Sequence, residues 1–450
     1  MKNKKISRRN FIQSVVGAGI SGSALYTTLG SLGASRVLAA NTDDYKSLVC
    51  IFMLGGNDGF NTVVPSSNAE YNEYADARQN LSLAQEDLLL LNPLSNDGAS
   101  YGLHPAMSRI HSLFESGDIA IAANVGALVA PTTSDDYVNS RVALPPNLFS
   151  HNSQQNFWQS LEAFEAQKIG WGGRMADILN DVNPNALLPL NISLSGSNLL
   201  QVGSNSTAFN TNNNGAIQYA GFGNGSRRNL IRSIYSDNKS HLFEQAFSET
   251  LNRSIDYSEE LSVALANTPG PTTVFSERRL SANLRAVAHM IAAREELNMN
   301  RQVFFVGFGG FDTHDNHLDR HASLLEELDA GLSEFQQEML AIGCHESVTT
   351  FTASDFGRTL TSNGDGSDHG WGSHHLIMGG AVNGQQIHGE MPPLVINGPQ
   401  DTGRGRIIPT ISVDQYGATL AKWLGVAEND LDTIFPNLKN FNQRDIGLFS

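Results

Sequence analysis

Cysteine is almost absent from this chain of 450 residues, which has two, Cys50 and Cys344. Two cysteines are too few for a disulfide scaffold, and their spacing is not that of a zinc-binding motif. We therefore expect both to be core residues. A chain of this length can bury a hydrophobic core without the help of disulfide bonds.

Charged residues are also scarce, at 16% of the chain, and bases are outnumbered by acids, 29 to 45. The formal net charge of −16 at pH 7 repels phosphate backbones and anionic lipids, which argues against nucleic acid or a polybasic membrane contact as a partner. Hydrophobic residues make up 40% of the chain, and mean hydropathy is −0.22. These values exclude both a polytopic membrane protein and a fully disordered chain.

The first forty residues contain basic side chains but no acid, and they include Arg8 and Arg9 followed by a polar residue and Phe11. The next segment is too rich in Gly, Ala and Ser for a stable membrane span, and it ends with small residues at Ala40. This is the pattern of a twin-arginine export signal. We predict that residues 1–40 are this signal, that the twin-arginine translocase is a partner during export, and that the protein is periplasmic or secreted.

Short apolar runs alternate with helical patterns along the rest of the chain, residues 41–450, which we interpret as one main domain. The predicted strands cover residues 46–54, 119–125, 302–308, 347–353 and 375–382. The predicted helices cover residues 107–116, 280–297, 318–342 and 415–424. This alternation predicts an α/β fold with a mostly parallel sheet.

Residues 191–274 differ in composition from the rest of the domain. Residues 191–226 are rich in Asn, Ser and Gly, and a Pro-Gly-Pro turn occurs at residues 269–271. We interpret residues 191–274 as a loop-rich insertion or cap over the sheet, with helical spacing in residues 230–251.

Eight of the thirteen histidines lie in the last third of the chain, and acids follow the predicted strands. Asp58 follows the first strand, Asp312 the strand at 302–308, and Asp355 the strand at 347–353. Ligands of open parallel sheets bind beyond the carboxyl ends of the strands, so these loops can converge. Converging carboxylates repel one another unless a cation lies among them, and a mixed Asp and His set suits Zn, Mn or Fe better than Ca. We therefore predict a divalent metal site, with the number of ions left open.

The candidate metal ligands are the side chains that these loops could direct to one point: Asp58, Asp312, His314, His317, Asp355 and His369. Other roles are open for several of them. Asp58 could be a turn residue, and Asp312 could cap the following helix. Asp355 could pair with Arg358. Arg358 in turn could clamp an oxyanion, because a guanidinium binds phosphate or sulfate oxygens in a bidentate way.

The remaining histidines are weaker candidates. His321 is in register with the leucines of its helix, so we expect a buried, hydrogen-bonded side chain. His374 and His375 are neighbours on a predicted strand and point to opposite faces, so only one of them could reach the site. His104 and His151 are isolated in sequence, and we favour loop packing for both. The glycine clusters do not have the spacing of nucleotide-binding loops.

Four ordered motifs, behind the export signal, resemble the bacterial domain-of-unknown-function family numbered 1501. They are Leu-Gly-Gly-Asn-Asp-Gly-Phe-Asn at 54–61, Gly-Phe-Asp-Thr-His at 310–314, Ser-Asp-Phe-Gly-Arg-Thr at 354–359 and Asp-His-Gly-Trp-Gly-Ser-His-His at 368–375. The likeness covers nearly all of the chain after the signal. That family is similar to the alkaline phosphatase and sulfatase superfamily. The resemblance implies a three-layer αβα sandwich, alkaline-phosphatase-like, with metals held by Asp and His at strand ends.

The resemblance also implies roles for individual residues. The superfamily's acid after the first strand matches Asp58, and its Asp-His pair on one metal matches Asp312 with His314 or His317. Its Asp-His pair on the other metal matches Asp355, but the histidine position is occupied by Phe356. The last histidine of the superfamily's site matches His369, and His374 and His375 lie nearby in the sequence.

The nucleophilic Ser or Thr that the superfamily has after the first strand matches no motif in this chain. Ser150 is the candidate nucleophile, and its alternative role is to cap the helix that contains Phe157 and Trp158. These residues predict an exported, metal-dependent hydrolase of small anionic or glycan-linked esters of phosphate or sulfate. Its metal would activate water or a side-chain oxygen, and Arg358 would clamp the nonbridging oxygens. The alternative, which Phe356 allows, is a non-catalytic exported binding or assembly protein that retains a structural metal on the same fold.

Overall fold

The strands and helices described here come from a computed structural model. It describes residues 44–95, 98–164, 168–184, 186–213, 215, 225–236 and 241–450. The predicted export signal, residues 1–40, lies outside the described residues. Asp44–Ser450 forms one unit by its internal contacts.

Fourteen strands occur in the described part of the chain. In chain order they are β1 (Lys46–Leu54), β2 (Val63–Pro65), β3 (Leu89–Leu90), β4 (Tyr101–Leu103), β5 (Ile119–Gly126), β6 (Asn191–Ser193), β7 (Phe209–Asn210), β8 (Arg301–Gly309), β9 (Val348–Ser354), β10 (Arg358–Ser362), β11 (Ser367–His369), β12 (Ser373–Met378), β13 (Ile387–His388) and β14 (Ile411–Ser412).

The α-helices are named in the same way. They are α1 (Gly59–Thr62), α2 (Asn68–Arg78), α3 (Ser108–Glu115), α4 (Ser134–Val138), α5 (His151–Ser160), α6 (Trp171–Ile178), α7 (Gly225–Ser236), α8 (Leu242–Asn267), α9 (Arg279–Ala292), α10 (His317–Ala341), α11 (Val413–Leu424) and α12 (Leu431–Ile434). The predicted strands, and the helices predicted at 107–116, 280–297, 318–342 and 415–424, lie within about five residues of the observed ones. The longest helix, α8, was predicted only in part, because the helical spacing at 230–251 covers the end of α7 and the start of α8.

Nine strands form the central sheet, in the order β13, β5, β12, β9, β1, β8, β6 and β7, with β14 beside β5. β1 lies in the middle and is parallel to both β8 and β9. β12 is the exception, because it is antiparallel to both of its neighbours, β5 and β9. The register pairs Leu54 with Gly309 and Met53 with Ser354. The loops that follow β1, β8 and β9 therefore begin side by side at one edge of the sheet.

Helices cover both faces of this sheet, because its strands are apolar on both sides. In β1, Val49 and Ile51 pack into one core with helices α3, α9 and α10. The alternate residues Leu48 and Phe52 pack into a second core with α5, α6 and α11. The predicted three-layer αβα sandwich with a mostly parallel sheet is therefore confirmed. Both cysteines are buried and unpaired with each other, as expected.

The segment predicted as an insertion or cap, residues 191–274, begins inside the sheet. Its residues Asn191–Ser193 form β6, which pairs with Val303–Phe305 of β8, and β7 extends the sheet beyond β6. Strands of three and two residues leave no periodic pattern in the sequence, which is why they were not predicted. Helices α7 and α8 follow, and Leu261 and Ala264 of α8 join the core on the α9 side.

Within the described residues, no helix combines the length and the apolar character that crossing a membrane requires.

Candidate metal centre

The loops after β1 and β8 lie in direct contact, which two glycines make possible. Gly55 has φ 118°, a left-handed conformation that favours glycine. A Cβ atom on Gly55 would lie 2.3 Å from the backbone nitrogen of Asp312. At Gly56, a Cβ atom would lie 2.6 Å from the ring of Phe356, which follows β9. Glycine therefore lets the three loops converge on the position of Asp312.

Three imidazoles meet around the carboxylate of Asp312. Its Oδ2 atom lies 3.4 Å from Nε2 of His151, at the start of α5. Its Oδ1 atom lies 3.4 Å from Nε2 of His369, the last residue of β11, and 2.9 Å from Nε2 of His314. The Nε2 atoms of His314 and His369 are 3.0 Å apart. His151, Asp312 and His369 offer ligand atoms that all lie within 4.8 Å of one another. We call His151, His314, His369 and Asp312 together the His3Asp cluster.

Hydrogen bonds to the far side of two imidazoles fix their tautomers. Nδ1 of His151 lies 2.7 Å from Oδ2 of Asp355, and Nδ1 of His369 lies 2.8 Å from the backbone oxygen of Phe149. A carboxylate or carbonyl oxygen only accepts, so each Nδ1 donates and each neutral ring keeps a lone pair on Nε2. Nε2 of His151 is buried and has no hydrogen-bond partner in the described part of the chain. Nε2 of His369 has a hydrogen-bond partner in Nε2 of His314 at 3.0 Å, so Nε2 of His151 is the nitrogen left available to a cation.

The donor set and its spacing fit a zinc-like ion. Zn–N bonds of about 2.0–2.1 Å in a tetrahedron place neighbouring ligand atoms about 3.4 Å apart. The separations from Asp312 to His151 and His369 are both 3.4 Å, whereas His314 lies closer, 2.9 Å from Asp312 and 3.0 Å from His369. Three imidazole nitrogens and one carboxylate suit zinc, whereas calcium takes six to eight oxygen ligands. The His3Asp cluster thus has the chemistry of a transition-metal site.

Arg358 stabilises the ionised form of Asp312. Burial alone would raise the pKa of Asp312, but the hydrogen bond from Arg358 and its charge lower that pKa below its ordinary value. Burial lowers the pKa of His369. In contrast, the hydrogen bond to Asp355 raises the pKa of His151. Apart from His151, these shifts favour the deprotonated forms that a metal ion requires.

The guanidinium of Arg358 is occupied by the protein. Its side chain is 0% exposed. Nη1 donates to Asp312 at 2.8 Å and to the Gly55 oxygen at 3.2 Å, while Nε and Nη2 both donate to Ser367. A guanidinium with these partners and no exposed surface cannot also hold substrate oxygens. We therefore interpret Arg358 as a positioning residue for Asp312, in place of the predicted oxyanion clamp.

Asp355 is not a member of the cluster and contacts it through His151. Its Oδ2 atom accepts hydrogen bonds from Nδ1 of His151, from Nε2 of Gln155 at 2.8 Å and from the Gly55 nitrogen at 3.3 Å. His151 and Gln155 lie four residues apart on α5, so both project from the same face of the helix. Phe356, in the position where the superfamily has histidine, packs its ring against the rings of His151 and His369.

Asp58 and His317 form a separate buried pair. Oδ2 of Asp58 lies 2.8 Å from Nε2 of His317, and the same oxygen is in an ion pair with Arg78. All three side chains are 0% exposed. Burial opposes ionisation of Asp58, but the charge of Arg78 lowers its pKa. Since Arg78 supplies the compensating charge, Asp58 needs no metal ion to be stable there, and neither Asp58 nor His317 meets the His3Asp cluster in an ion pair.

A family model described as "Protein of unknown function (DUF1501)" matches residues 45–402. The chain belongs to this family. The predicted resemblance is thus confirmed. No curated protein sequence matches the chain.

Three solved structures are similar in fold to this DUF1501 chain. A sulfatase from Pseudoalteromonas sp. is 9% identical, with 94% of this chain and 76% of that chain covered and a TM-score of 0.39. The soluble domain of lipooligosaccharide phosphoethanolamine transferase A from Neisseria meningitidis is 7% identical, with 88% and 94% covered and a TM-score of 0.35. The lipoteichoic acid synthase LtaP from Listeria monocytogenes is 9% identical, with 87% and 75% covered and a TM-score of 0.34. These likenesses are too distant to bear on activity.

Sequence reasoning missed His151, for which we expected loop packing. The available signal was the spacing of His151 and Gln155, which share a helix face, but polar residues four apart are common on helices. Ser150, the candidate nucleophile, is the N-cap residue of α5, and its side chain makes no capping hydrogen bond. Arg78 was missed as well, because nothing in the sequence connects it with Asp58.

Three further histidines, His321, His374 and His375, are core residues of this DUF1501 chain. His321 is buried and its Nε2 lies 3.1 Å from Oδ1 of Asn57, as predicted for a hydrogen-bonded core side chain. Burial lowers the pKa of both His374 and His375 to about 3. They do lie on opposite faces, in contact with Phe60 and Tyr416 respectively.

His104 is also buried, and its Nδ1 accepts a hydrogen bond of 3.0 Å from the Ala106 nitrogen. The predicted loop packing is confirmed for His104.

Proposed function

We propose that this chain is an exported, metal-dependent hydrolase of phosphate or sulfate esters that acts in the periplasm or outside the cell. The observation that carries the proposal is Nε2 of His151, a buried imidazole nitrogen without a hydrogen-bond partner among the described residues that lies 3.4 Å from a carboxylate. This nitrogen faces the carboxylate either as a protonated Nε2, which the raised pKa of His151 favours, or as a ligand of a bound cation, which is the arrangement that this proposal adopts.

The ligands in this proposal are His151, Asp312 and His369, whose ligand atoms lie within 4.8 Å of one another. Three protein ligands leave open the fourth position that a catalytic zinc site needs. When bound, a zinc-like ion supplies positive charge and Lewis acidity toward the oxygens of an ester. Asp312 and His314 are 44% and 42% exposed. Structural zinc sites are closed by their ligands, whereas catalytic sites stay accessible. This exposure favours a site that a substrate can reach.

Residues around the cluster hold its geometry. The carboxylate of Asp355 orients His151, the Phe149 oxygen orients His369, and Arg358 keeps Asp312 ionised. Partners of this kind fix the tautomer and direction of a ligand and raise its affinity for the ion.

Ser150 is the candidate nucleophile in this proposal. It directly precedes His151, and its hydroxyl does not cap α5. The N-terminus of a ten-residue helix carries partial positive charge, which favours a phosphate or sulfate group beside it. In this step the Ser150 oxygen would bond to the phosphorus or sulfur as the bond to the ester alcohol breaks, the alcohol would leave with the hydroxyl proton, and water would then hydrolyse the serine ester. The N-terminus of the helix would stabilise the negative charge that develops.

One observation favours the alternative, a non-catalytic binding protein with a structural metal. Arg358, the cation predicted to hold the nonbridging oxygens, is buried and fully engaged by Asp312, Gly55 and Ser367. Under this alternative the ion would stabilise the loops and no ester would be turned over.

Metal analysis and hydrolysis assays separate the two proposals. We expect about one zinc-like ion per chain after purification without added metal, and hydrolysis of aryl phosphates or sulfates that falls at least a hundredfold in His151→Gln and Asp312→Asn. The matched controls are His111→Gln, on the surface helix α3, and Asp315→Asn, which is 77% exposed in the same loop as Asp312. Bound metal without hydrolysis of any ester would favour the binding protein, and absence of metal would contradict both.

A further inference from the structure

A loop beside the cluster carries two arginines, Arg404 and Arg406, that have no role in the proposed function. Residues 401–406 have the sequence Asp-Thr-Gly-Arg-Gly-Arg. The carboxylate of Asp401 is 5% exposed and accepts hydrogen bonds from the backbone nitrogens of Asn397 at 2.9 Å, Gly403 at 2.7 Å and Arg406 at 3.1 Å. One buried carboxylate therefore ties both ends of the loop together.

The same loop is fixed against the hairpin that carries His369. The Gly405 oxygen accepts a hydrogen bond of 3.0 Å from the Leu360 nitrogen of β10. A Cβ atom on Gly405 would lie 2.8 Å from that nitrogen. Arg404 is held at φ 64°, a left-handed conformation that is unfavourable for a residue with a side chain. The backbone beneath the two arginines is thus held in one conformation.

Arg406 contacts the backbone of the cluster residue His369 and the ring of Phe149. Its Nε donates a hydrogen bond of 3.3 Å to the backbone oxygen of His369. Its guanidinium carbon lies 4.0 Å from the centre of the Phe149 ring, and the Phe149 oxygen is the group that orients His369. The guanidinium is therefore held on two sides. It contacts the backbone of His369, whereas the Nε2 atom of that residue faces Asp312, so the guanidinium lies beside the cluster.

Within the described residues, neither terminal nitrogen of Arg406 makes a hydrogen bond or an ion pair. The other arginines at the site differ, since Arg358 is buried on Asp312 and Arg404 is in a 2.6 Å ion pair with Asp368. Arg406 is partly exposed. The described residues thus hold the Arg406 guanidinium in place beside the candidate metal centre without engaging its terminal nitrogens.

We propose that Arg406 binds an anionic group of the substrate other than the ester that is hydrolysed. A guanidinium recognises phosphate, sulfate or carboxylate oxygens through two parallel hydrogen bonds. Since Arg406 lies beside the cluster, an ester held there can reach Arg406 through a second charged group. The substrates are then polyanionic esters. This inference rests on the proposed function and adds the substrate class to it.

Equilibrium binding tests the site without hydrolysis. The probes are aryl disulfonates of different spacing and the matching monosulfonates, titrated calorimetrically into the metal-loaded protein. We expect the wild type to bind at least one disulfonate about tenfold more tightly than its monosulfonate. Arg406→Gln should remove this preference. The matched control is Arg444→Gln, whose guanidinium is engaged by Glu428 and Asp432, and it should keep the preference.

Kinetics separate substrate binding from support of His369. In Arg406→Gln, we expect kcat/KM for a doubly charged aryl ester to fall about tenfold more than kcat/KM for a singly charged ester, with the difference in KM. Arg406→Lys keeps the positive charge but not the guanidinium fork, so its effect on the doubly charged ester should lie between those of the wild type and Arg406→Gln. Equal loss of kcat on both esters in the Gln and Lys variants would mean that Arg406 only supports His369 and would overturn the inference.

The two proposals fail in different ways. Hydrolysis of esters together with a disulfonate preference that Arg406→Gln leaves intact would overturn the role of Arg406 alone. A protein that hydrolyses no ester but loses its disulfonate preference in Arg406→Gln would overturn the hydrolase and support the anion site.

Discussion

His151 and Asp355 are joined by a hydrogen bond of 2.7 Å although they lie 204 positions apart in the chain. The bond connects the first residue of α5 with the loop after β9. It holds the His151 ring so that Nε2 faces Asp312 at 3.4 Å. A carboxylate behind an imidazole in this way makes the imidazole a stronger metal ligand.

Removing the charge of Asp355 should weaken metal binding without removing a ligand. We expect Asp355→Asn to lower metal affinity about 10- to 100-fold, because that is the usual effect of losing such a partner. At saturating metal the ion count per chain should stay at the wild-type value, measured by elemental analysis after dialysis. Asp432→Asn, which is 57% exposed, is the control. A lower ion count at saturation would instead make Asp355 a ligand, as the sequence predicts.

Chelation should destabilise the protein only where the His3Asp cluster is intact. A bound ion stabilises the folded state by mass action, by about 2.7 kcal/mol at a hundredfold excess over Kd. We therefore expect a chelator to lower the wild-type Tm by several degrees and to leave the Tm of His151→Gln and His369→Gln unchanged.

The control for this measurement is a buried histidine outside the cluster. His321→Gln should lower Tm through the loss of its contact with Asn57 while it retains both metal and chelator sensitivity. Loss of metal in His321→Gln would show that the ligand set is different from the His3Asp cluster.

The buried pair of Asp58 and Arg78 should act as a unit in stability. Arg78→Met leaves the buried Asp58 carboxylate without its arginine and with His317 alone, and removing one partner of a buried ion pair costs about 3–5 kcal/mol. We expect the double variant Asp58→Asn with Arg78→Met to be more stable than Arg78→Met alone in urea unfolding. Asp58→Asn should retain the metal content of the wild type. Loss of metal in Asp58→Asn would restore the predicted role of Asp58 as a ligand.

Asp414 should make the stability of the protein depend on pH. Burial raises the pKa of Asp414 to about 7, although the backbone nitrogen and the side chain of Asn437 both donate to it. A raised pKa means that the folded state prefers the neutral acid, so this contribution is fully present below about pH 4 and is lost as pH rises through 7. Thermal unfolding from pH 5 to 8.5 should show a smaller fall in Asp414→Asn than in the wild type. Equal pH profiles would contradict the raised pKa.

Export depends on the arginine pair in the predicted signal. Replacing Arg8 and Arg9 together by lysine should trap the precursor in the cytoplasm, because the twin-arginine pathway reads the arginine pair and not the charge alone. Cell fractionation and immunoblotting measure the outcome. Lys4→Arg with Lys5→Arg conserves charge outside the pair and should be exported normally. Normal export of the double-lysine variant would contradict the twin-arginine prediction.

Local patterns in the sequence determined the frame of the site. The apolar runs that became β1, β8 and β9 were predicted because a strand buried on both faces needs consecutive apolar residues. The parallel register then places the following loops at one edge of the sheet. For this reason the sequence predicted that Asp312, His314 and His369 could converge, and the structure brings these three side chains together.

Tertiary packing decided the rest, because the partner of a polar side chain depends on which surfaces meet. His151 reaches the cluster from α5, more than 150 residues before Asp312, and no spacing in the sequence connects the two. Asp58 follows a strand just as Asp312 does, yet it neutralises Arg78 inside the protein. Motifs could place these acids at the same edge of the sheet. Only the packed structure determines which of them faces a buried guanidinium and which faces imidazole nitrogens, because that choice is made by side chains distant in sequence.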